Sequence, residues 1–488
     1  MRRSSSFTTE SRTQIEGTSP TEVRLSDVLA GLSVALDLTE GQRPGHSVRS
    51  CAIGMRLAET LGLSQSDRSS LFYALLMKDL GCSSNASRFA ALFAADDHVL
   101  KSTLVKMDWS QPLESFRFVA TSVAPGRFWL RRVWQALAVF SRGPEGAREV
   151  VRTRCERGAD IARMLGFADA TVEAIRALDE HWDGKGQAYA LKGEQIPLLG
   201  RILNISQTVE VFFSEYGVLT AYDVAEQRSG TWFDPDLVAA LRSIRRDSAF
   251  WRWLAQSDAI AEIGALEPED QVFTADEDRL DLVAEAFARV IDAKSPWTYK
   301  HSNGVAALTT AIASVIGVPE SERRELTRAA LLHDLGKLGV SSLILDKPGK
   351  LTDEEFAVIK RHPEHTHSIL SRVGCFAHLA DLASSHHERL DGRGYHRGRR
   401  DRDLTTNARI ICVADICDAL RQSRPYREGL ASERILEIMQ RDSGSGLDAD
   451  CLAALEKVLY TDSTAPGDGS ASPARLVPAL SEDYQQAA

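Results

Sequence analysis

Hydrophobic residues return along most of this chain at intervals of three or four positions, which is the spacing of one face of an α-helix. The pattern begins with Val28, Leu32 and Leu36 and returns between Ile53 and Leu61. The alternation of polar and apolar residues that is typical of strands is almost absent. The pattern therefore predicts an all-α protein. At 488 residues the chain is longer than one hydrophobic core ordinarily organises, so we expect more than one domain.

The chain contains an internal repeat. Three segments return 255 positions later: Arg24 to Val28 as Arg279 to Val283, His46-Ser47 as His301-Ser302, and Lys78 to Gly81 as His333 to Gly336. Further segments return 208 positions later: Arg154 as His362, Asp183 to Gly186 as Asp391 to Gly394, and Gln207 as Asp415. Such self-similarity predicts a tandem duplication of one helical domain. The smaller second offset means that the first copy carries an insertion.

The repeat divides the chain into five predicted segments. They are a disordered tail (1–22), a first copy (23–261) with an insertion near 95–145, a linker (262–278), a second copy (279–462) and a flexible tail (463–488). Within the insertion, Phe128 to Leu137 has an amphipathic pattern with aromatic and basic residues. We interpret it as a packing helix rather than a membrane-surface or partner-binding helix, because it is short and carries few charges.

The second copy contains the candidate chemistry. His333 and Asp334 lie in an apolar, helix-favouring run from Ala329 to Lys337, and a continuous helix would place Lys337 one turn beyond His333. Buried without partners, these groups would cost several kcal/mol, so they either hydrogen-bond to each other or bind a metal. Nine of the twelve histidines lie between positions 301 and 396, which favours the metal. The candidate ligands are His301, His333, Asp334, His362, His386, His387 and Asp415.

This ligand set predicts two divalent metal ions. Imidazoles with carboxylates suit iron, manganese or zinc. Seven such groups are too many for one metal with open positions, and they suit two ions roughly 3.5 to 4 Å apart, bridged by a carboxylate and by water or hydroxide. Asp334 is the predicted bridge.

The first copy is predicted to bind no metal. Lys78, Arg154 and Gln207 stand where the second copy has His333, His362 and Asp415. We expect Lys78 to pair with Asp79 instead, which keeps the fold neutral without metal. A regulatory, dimerising or ligand-sensing role and a merely structural role remain open for this copy.

Residues beyond the ligands indicate a phosphate-containing substrate. The glycine-bearing loop from Asp391 to Tyr395 follows the double histidine, and Tyr395 is placed to stack on a base or bond a phosphate. Arg424 and Arg427 offer guanidinium groups that match phosphate oxygens, although two solvated arginines at a helix end are the alternative.

Composition excludes several other classes of protein. The net charge of -10 leaves no sequence-wide basic field for a nucleic acid polymer. The chain contains no run of about 18 apolar residues, so no membrane span is predicted. The seven cysteines form no Cys-x-x-Cys pair, which favours reduced thiols and a cytoplasmic location.

Taken with their spacing, these motifs resemble the HD-GYP family, a branch of the HD metal-dependent phosphohydrolases. The resemblance covers about 279–460 and rests on His333-Asp334-Leu335-Gly336-Lys337, Lys347-Pro348-Gly349-Lys350-Leu351, His386 to Tyr395, Val413 to Leu420 and Arg424 to Arg427. It implies an all-helical domain with a two- or three-metal site, often iron or manganese. It also implies hydrolysis of cyclic-di-GMP to linear pGpG, to GMP, or to both.

Carried over by position, the resemblance makes the same seven residues metal ligands. Asp334 and Lys337 would be catalytic, with Lys337 at a phosphate oxygen, and Tyr395, Arg424 and Arg427 would hold the substrate. A diguanylate cyclase-type protein partner is also implied, and a homodimer stays open. The alternatives are a low-turnover receptor for a cyclic dinucleotide or a partner, and a phosphohydrolase for another nucleotide.

Three positions depart from the family pattern. His396 replaces the name-giving proline, which is expected to affect the loop or its contacts with a cyclase. Thr366 replaces a usual glycine, which is expected to affect packing more than chemistry. Trp297 stands where members with a third metal carry a glutamate, so we predict two metals.

Overall fold

The computed structural model describes residues 23–108, 111–141, 143–256, 262–269, 272–298, 300–423 and 428–463. The predicted tails lie outside these ranges, apart from residue 463, and so do Arg424 and Arg427. Among the described residues, no helix is both long enough and apolar enough to cross a bilayer.

The first copy is built from thirteen described α-helices. They are α1 (Leu25–Thr39), α2 (His46–Thr60), α3 (Gln65–Met77), α4 (Ala86–Phe93), α5 (Asp97–Leu104), α6 (Pro112–Ser122), α7 (Trp129–Ser141), α8 (Gly143–Met164), α9 (Asp169–Arg176), α10 (Leu198–Tyr216), α11 (Val218–Gln227), α12 (Pro235–Ile244) and α13 (Ser248–Gln256). Short 3₁₀ helices add Cys82–Asn85, Gly193–Gln195 and Ile263–Ala265.

The second copy is built from ten described α-helices. They are α14 (Glu277–Asp292), α15 (His301–Ile316), α16 (Glu320–Leu332), α17 (Ser342–Leu345), α18 (Asp353–Ile359), α19 (His362–Leu370), α20 (Ala380–Ala383), α21 (Thr406–Arg421), α22 (Ser432–Gln440) and α23 (Ala449–Ser463). The 3₁₀ helices here are Leu335–Gly339, Gly374–Leu379 and Asp401–Asp403. The predicted all-α fold is confirmed.

Matching positions of the two copies make matching hydrogen bonds. Asp37 accepts from the hydroxyl of Ser47 at 2.7 Å, and Asp292 accepts from the hydroxyl of Ser302 at 2.7 Å. In both pairs the serine follows the histidine that opens its helix, α2 in the first copy and α15 in the second. These paired contacts are what a duplicated domain predicts.

The two copies pack against each other. Strand β1 (Val23–Arg24) of the first copy pairs antiparallel with strand β2 (Thr274–Ala275), and one apolar core extends through both copies. The predicted linker is packed as well, because the buried carboxylate of Glu267 accepts hydrogen bonds from the hydroxyls of Ser26 and Tyr73. Helix α14 begins at Glu277, two residues before the predicted start of the second copy.

A buried ion pair also crosses from one copy to the other. The side chain of Asp97, at the start of α5, accepts from Lys294 at 2.7 Å and from the backbone N–H of Ser342 at 2.7 Å. Both charged side chains are almost fully buried. The first copy therefore contributes a carboxylate to the interior of the second.

The continuous helix predicted from Ala329 to Lys337 is wrong. Helix α16 ends at Leu332, His333 and Asp334 form a turn, and a 3₁₀ helix follows. The chain tightens here because α19 crosses closely, so that a β-carbon on Gly336 would lie 2.0 Å from the carbonyl oxygen of His362. The turn directs His333, Asp334 and Lys337 into one cleft, although they share no helix face.

The insertion forms its own small core. Phe93, Leu100, Phe118 and Val123 are buried together, and Val139 of α7 packs against them. Helix α7 has no buried residue of its own. The predicted packing helix is thus packed on one side only.

Candidate metal centre

Three histidines of the second copy are oriented in the same way. The Nδ1 atoms of His333, His362 and His386 each donate to the carbonyl oxygen three residues earlier, at 2.7, 2.8 and 2.7 Å. Each accepting carbonyl belongs to the last turn of the preceding helix, α16, α18 or α20, where carbonyls have no helical partner. In the neutral imidazole this bond places the proton on Nδ1 and leaves Nε2, which is directed inward, as the nitrogen that can bind a metal.

His301 is oriented by a side chain instead. It opens α15, and its Nδ1 donates to the carboxylate of Asp418 at 2.6 Å. Its Nε2 then faces Asp415, with 3.3 Å between Nε2 and the nearest carboxylate oxygen. Asp415 and Asp418 lie one turn apart on α21, so a single helix supplies a candidate ligand and the partner that orients another.

Asp334 lies between two groups of imidazoles. Its Oδ1 is 3.3 Å from Nε2 of His362 and 3.7 Å from Nε2 of His386. Its Oδ2 is 3.4 Å from Nε2 of His333 and 3.7 Å from Nε2 of His301. The two oxygens of one carboxylate therefore face different sides of the cleft.

The ligand atoms gather into two main groups. His362, His386 and His387 form one group and His301, His333 and Asp415 the other, with the ligand atoms of each group lying within 4.8 Å of one another. Asp334 joins His333 and His386 in a third such group, which overlaps both. All seven residues predicted from the sequence thus meet in one buried cleft.

Bare polar atoms show that the cleft suits a metal. Buried atoms without a hydrogen-bond partner include Nε2 of His301, Nε2 of His333, Nε2 of His387, Oδ1 of Asp334 and both carboxylate oxygens of Asp415. Buried polar groups are normally satisfied, because each one left bare costs roughly 1–3 kcal/mol. Nitrogen and oxygen donors of this kind suit a divalent first-row metal.

Burial holds two of the histidines in the neutral form that ligates. It lowers the pKa of His387 to about 3, and together with the neighbouring imidazoles it brings the pKa of His386 well below its usual range. For His301, burial opposes protonation, but the nearby carboxylates of Asp415 and Asp418 raise its pKa to about 9.

The carboxylates of the cleft remain ionised. Burial alone would raise the pKa of Asp334, but His333 and Lys337 bring it well below its usual range. Both carboxylates and neutral imidazoles are thus available, as metal ligation requires.

Lys337 and Tyr395 lie at the edge of the cleft. Nζ of Lys337 donates to Oδ2 of Asp334 at 2.7 Å. The ring of Tyr395 lies against the ring of His387, with centroids 4.7 Å apart at an angle of 34°. Both residues predicted beside the metals therefore border the cleft, whereas Arg424 and Arg427 fall outside the described residues.

Two residues of the cleft have roles that were not predicted from the sequence. Asp418 was given no role, and Thr366 was expected to affect packing more than chemistry. The hydroxyl of Thr366 donates to the carbonyl oxygen of His333 at 2.9 Å and accepts from the N–H of Gly336 at 2.9 Å. It therefore fixes both sides of the turn that carries Asp334. For Asp418, the available signal was its position one helical turn after Asp415.

Changing Asp418 to asparagine should weaken metal binding by roughly 10- to 100-fold, because a partner that orients a ligating histidine tunes its position and basicity. Metal titration of the apo protein measures this change. The matched control is Glu210→Gln, since Glu210 holds the equivalent position and bonds Nδ1 of His46. Equal metal affinity in Asp418→Asn and the unchanged protein would contradict the assignment of His301 as a ligand.

The equivalent cleft of the first copy is filled by cations. Nζ of Lys78 bonds Asp79 and lies 3.0 Å from Nε2 of His46, where the second copy leaves atoms bare. Arg154 donates to Asp179 at 2.8 Å. The predicted pairing of Lys78 with Asp79 is present, and positive side chains occupy positions that ligands hold in the second copy.

The family model described as "HD domain" matches residues 145–237 and 285–451, more than half of the chain and parts of both copies. The chain belongs to the HD domain family. This confirms the resemblance that the motifs indicated. HD-domain phosphohydrolases depend on metal ions, and the buried histidine and aspartate groups of this HD domain protein are candidate ligands.

Relatives of this HD domain protein are named as phosphodiesterases. The 3'3'-cGAMP-specific phosphodiesterase 3 of Vibrio cholerae is 40% identical over 436 residues, which cover 89% of this chain and 94% of the relative. A cyclic di-GMP phosphodiesterase of Pseudomonas aeruginosa is 39% identical over 149 residues, which cover 30% of this chain and 36% of the relative.

A solved structure has the same fold. The crystal structure of V-cGAP3, a cyclic GMP-AMP specific phosphodiesterase of V. cholerae, has a TM-score of 0.62 and 36% identity to this HD domain protein. The match covers 90% of this chain and 98% of that one, and so includes both copies.

Proposed function

We propose that this chain is a metal-dependent phosphodiesterase that hydrolyses a cyclic dinucleotide in its second copy, residues 279–462. The carrying observation is the position of Asp334, whose two carboxylate oxygens face two separate groups of imidazoles. That arrangement suits two divalent ions with Asp334 between them, and iron or manganese fit the donors. In this proposal, residues 23–261 bind no metal.

In this proposal the residues of the cleft have three roles: metal binding, stabilisation of charge and contact with a nucleobase. His301, His333, His362, His386, His387, Asp334 and Asp415 would hold the metals. Bound divalent metals stabilise negative charge on phosphoryl oxygens and activate water for attack on phosphorus. Lys337 places a positive charge beside Asp334, where it favours the developing charge of the transition state. The ring of Tyr395 offers a face for a nucleobase beside His387.

We propose 3'3'-cGAMP as the preferred substrate. A relative that aligns with 89% of the chain, and so with both copies, is named for this compound, whereas the cyclic di-GMP phosphodiesterase of P. aeruginosa aligns with less than a third of the chain. Cyclic-di-GMP, which the HD-GYP resemblance implies, is the second candidate. In either case water adds across one phosphodiester bond, and the product is a linear dinucleotide that a second hydrolysis divides into mononucleotides.

Parallel hydrolysis assays test the substrate. The metal-loaded full chain is incubated with 3'3'-cGAMP, cyclic-di-GMP or cyclic-di-AMP, and the products are separated by chromatography. We expect 3'3'-cGAMP to be cleaved with a kcat/KM at least about 10-fold above that for cyclic-di-GMP, since one well-made polar contact to a base discriminates by this amount or more. Faster cleavage of cyclic-di-GMP would reverse the order of substrates. Metal-loaded protein that binds these compounds without cleaving them would favour the receptor.

A further inference from the structure

The insertion of the first copy exposes a large apolar surface. Its members are nine aliphatic or aromatic residues, each between 47% and 79% exposed: Leu113, Phe116, Phe128, Trp129, Leu130, Val133, Trp134, Leu137 and Phe140. We call this surface the hairpin face, because it is formed by α6, α7 and the residue that precedes α7. The rings of Phe116 and Phe140 stack with centroids 6.1 Å apart, so the two helices present one continuous face.

The orientation of α7 is fixed by its opposite side. The guanidinium of Arg132 donates to the carbonyl oxygens of Ala120 and Val123 at 2.7 and 3.2 Å. The amide of Gln135 donates to the carbonyl oxygen of Leu92 at 2.7 Å. Because Arg132 and Gln135 are bonded inward, the helix cannot turn its apolar side to the core without breaking these bonds.

The hairpin face is larger than a soluble monomer ordinarily exposes. With aromatic side chains of roughly 150–250 Å² each, the nine residues leave about 1,200 Å² of apolar side chain in water. The largest apolar patch of a typical monomer is about 300–600 Å². A stable interface buries about 800 Å² on each partner. The hairpin face therefore suffices for one side of a protein dimer.

Charge favours a protein partner over a membrane. A helix that lies on an anionic bilayer carries Lys or Arg along its polar face. Helix α7 has two basic residues, Arg131 and Arg132, both in its first turn, and Arg132 is bonded within its own chain. From Val133 to Ser141 the helix has no charged residue, so basic residues do not run along its polar face. The apolar centre also carries no charge that would repel an identical surface, so the face can pair with itself about a twofold axis.

We propose that the hairpin face is the dimer interface of this protein, with α6 and α7 of two copies packed as a four-helix layer. Trp134, which is 73% exposed at the centre of α7, anchors the contact. Aromatic residues in this position contribute most of the free energy of an interface.

Sedimentation velocity of the full chain tests the proposal. The unchanged protein is expected to sediment as a dimer at low micromolar concentration. The double variant Trp134→Glu/Leu137→Glu is expected to sediment as a monomer, with its dissociation constant raised at least about 100-fold, because charges would be buried at the interface. The matched control is Leu219→Glu/Val315→Glu, which alters exposed apolar residues outside the hairpin. Circular dichroism shows that each variant is folded.

Three results would overturn the proposal. They are an unchanged protein that remains monomeric up to about 100 µM, a double variant that dimerises as well as the unchanged protein, and a control that dissociates equally. Co-sedimentation with phosphatidylglycerol vesicles tests the alternative that the hairpin face binds a membrane. A monomer that binds these vesicles through Trp134 would assign the hairpin face to a membrane surface instead.

Discussion

Replacing Asp334 by asparagine is expected to remove most of the bound metal and to lower phosphodiesterase turnover by roughly 1,000-fold or more. Asparagine keeps the volume of the side chain but loses the charge and one of the two oxygens that face the imidazole groups. Metal quantification and product chromatography on the same preparation measure both losses. The far-ultraviolet circular dichroism signal should be unchanged.

The matched control is Asp79→Asn, because Asp79 holds the equivalent position in the first copy. Its partner there is Lys78, which keeps an acceptor in the amide oxygen of asparagine but loses its countercharge, so this variant is expected to be less stable than the unchanged protein and still folded. We expect the metal content and turnover of this variant to equal those of the unchanged protein. Loss of metal in Asp79→Asn would place a metal in the first copy, and full metal content in Asp334→Asn would remove Asp334 from the centre.

Changing Asp97 to alanine is expected to lower the free energy of unfolding by about 3–5 kcal/mol, because it leaves the ammonium of Lys294 buried without its countercharge. The N–H of Ser342 loses its acceptor at the same time. Urea unfolding followed by circular dichroism measures the loss. The double variant Asp97→Leu/Lys294→Met should recover most of it, since it removes both charges.

Asp96→Ala is the control for this pair. Its carboxylate lies next to Asp97 in the chain, but it caps α5 and is 43% exposed. Loss of such a cap costs about 1 kcal/mol. Equal destabilisation by Asp96→Ala and Asp97→Ala would show that the buried pair does not join the two copies.

The same pair changes what is expected of a truncated protein. Residues 1–265 supply no predicted metal ligand, so the sequence alone predicts that the second copy ligates metal without them. In the structure, removing them deletes the ion-pair partner of Lys294, which is Asp97, and the hydrogen bond that the hydroxyl of Tyr73 donates to Glu267. We therefore expect the isolated second copy to be much less stable than the full chain.

The residues that meet in the cleft were predictable from sequence because histidine and aspartate are rare in apolar helical segments, and seven of them fall within one copy. The repeat was predictable for a related reason, since His46 and Asp79 survive at the spacing of His301 and Asp334. A cluster of histidine and aspartate residues can therefore be recognised from composition and spacing alone.

Contacts between distant positions were not predictable in the same way. Thr366 bonds His333 and Gly336 across about thirty residues, and only the crossing of α19 brings them together. That crossing also ends α16 at Leu332, although helix propensity favours a continuous helix. The hairpin face has a similar origin, because periodicity shows that α7 is amphipathic but does not show which side the core covers.

The most direct test of the metal centre is elemental analysis of the full chain purified without oxygen. We expect about two iron or manganese ions per chain, since two groups of ligand atoms flank Asp334. Three ions per chain would contradict the two-metal site. It would also contradict the inference that Trp297, in place of the glutamate of three-metal members, removes the third metal. A protein that retains no metal after purification and takes up none on reconstitution would contradict the centre itself.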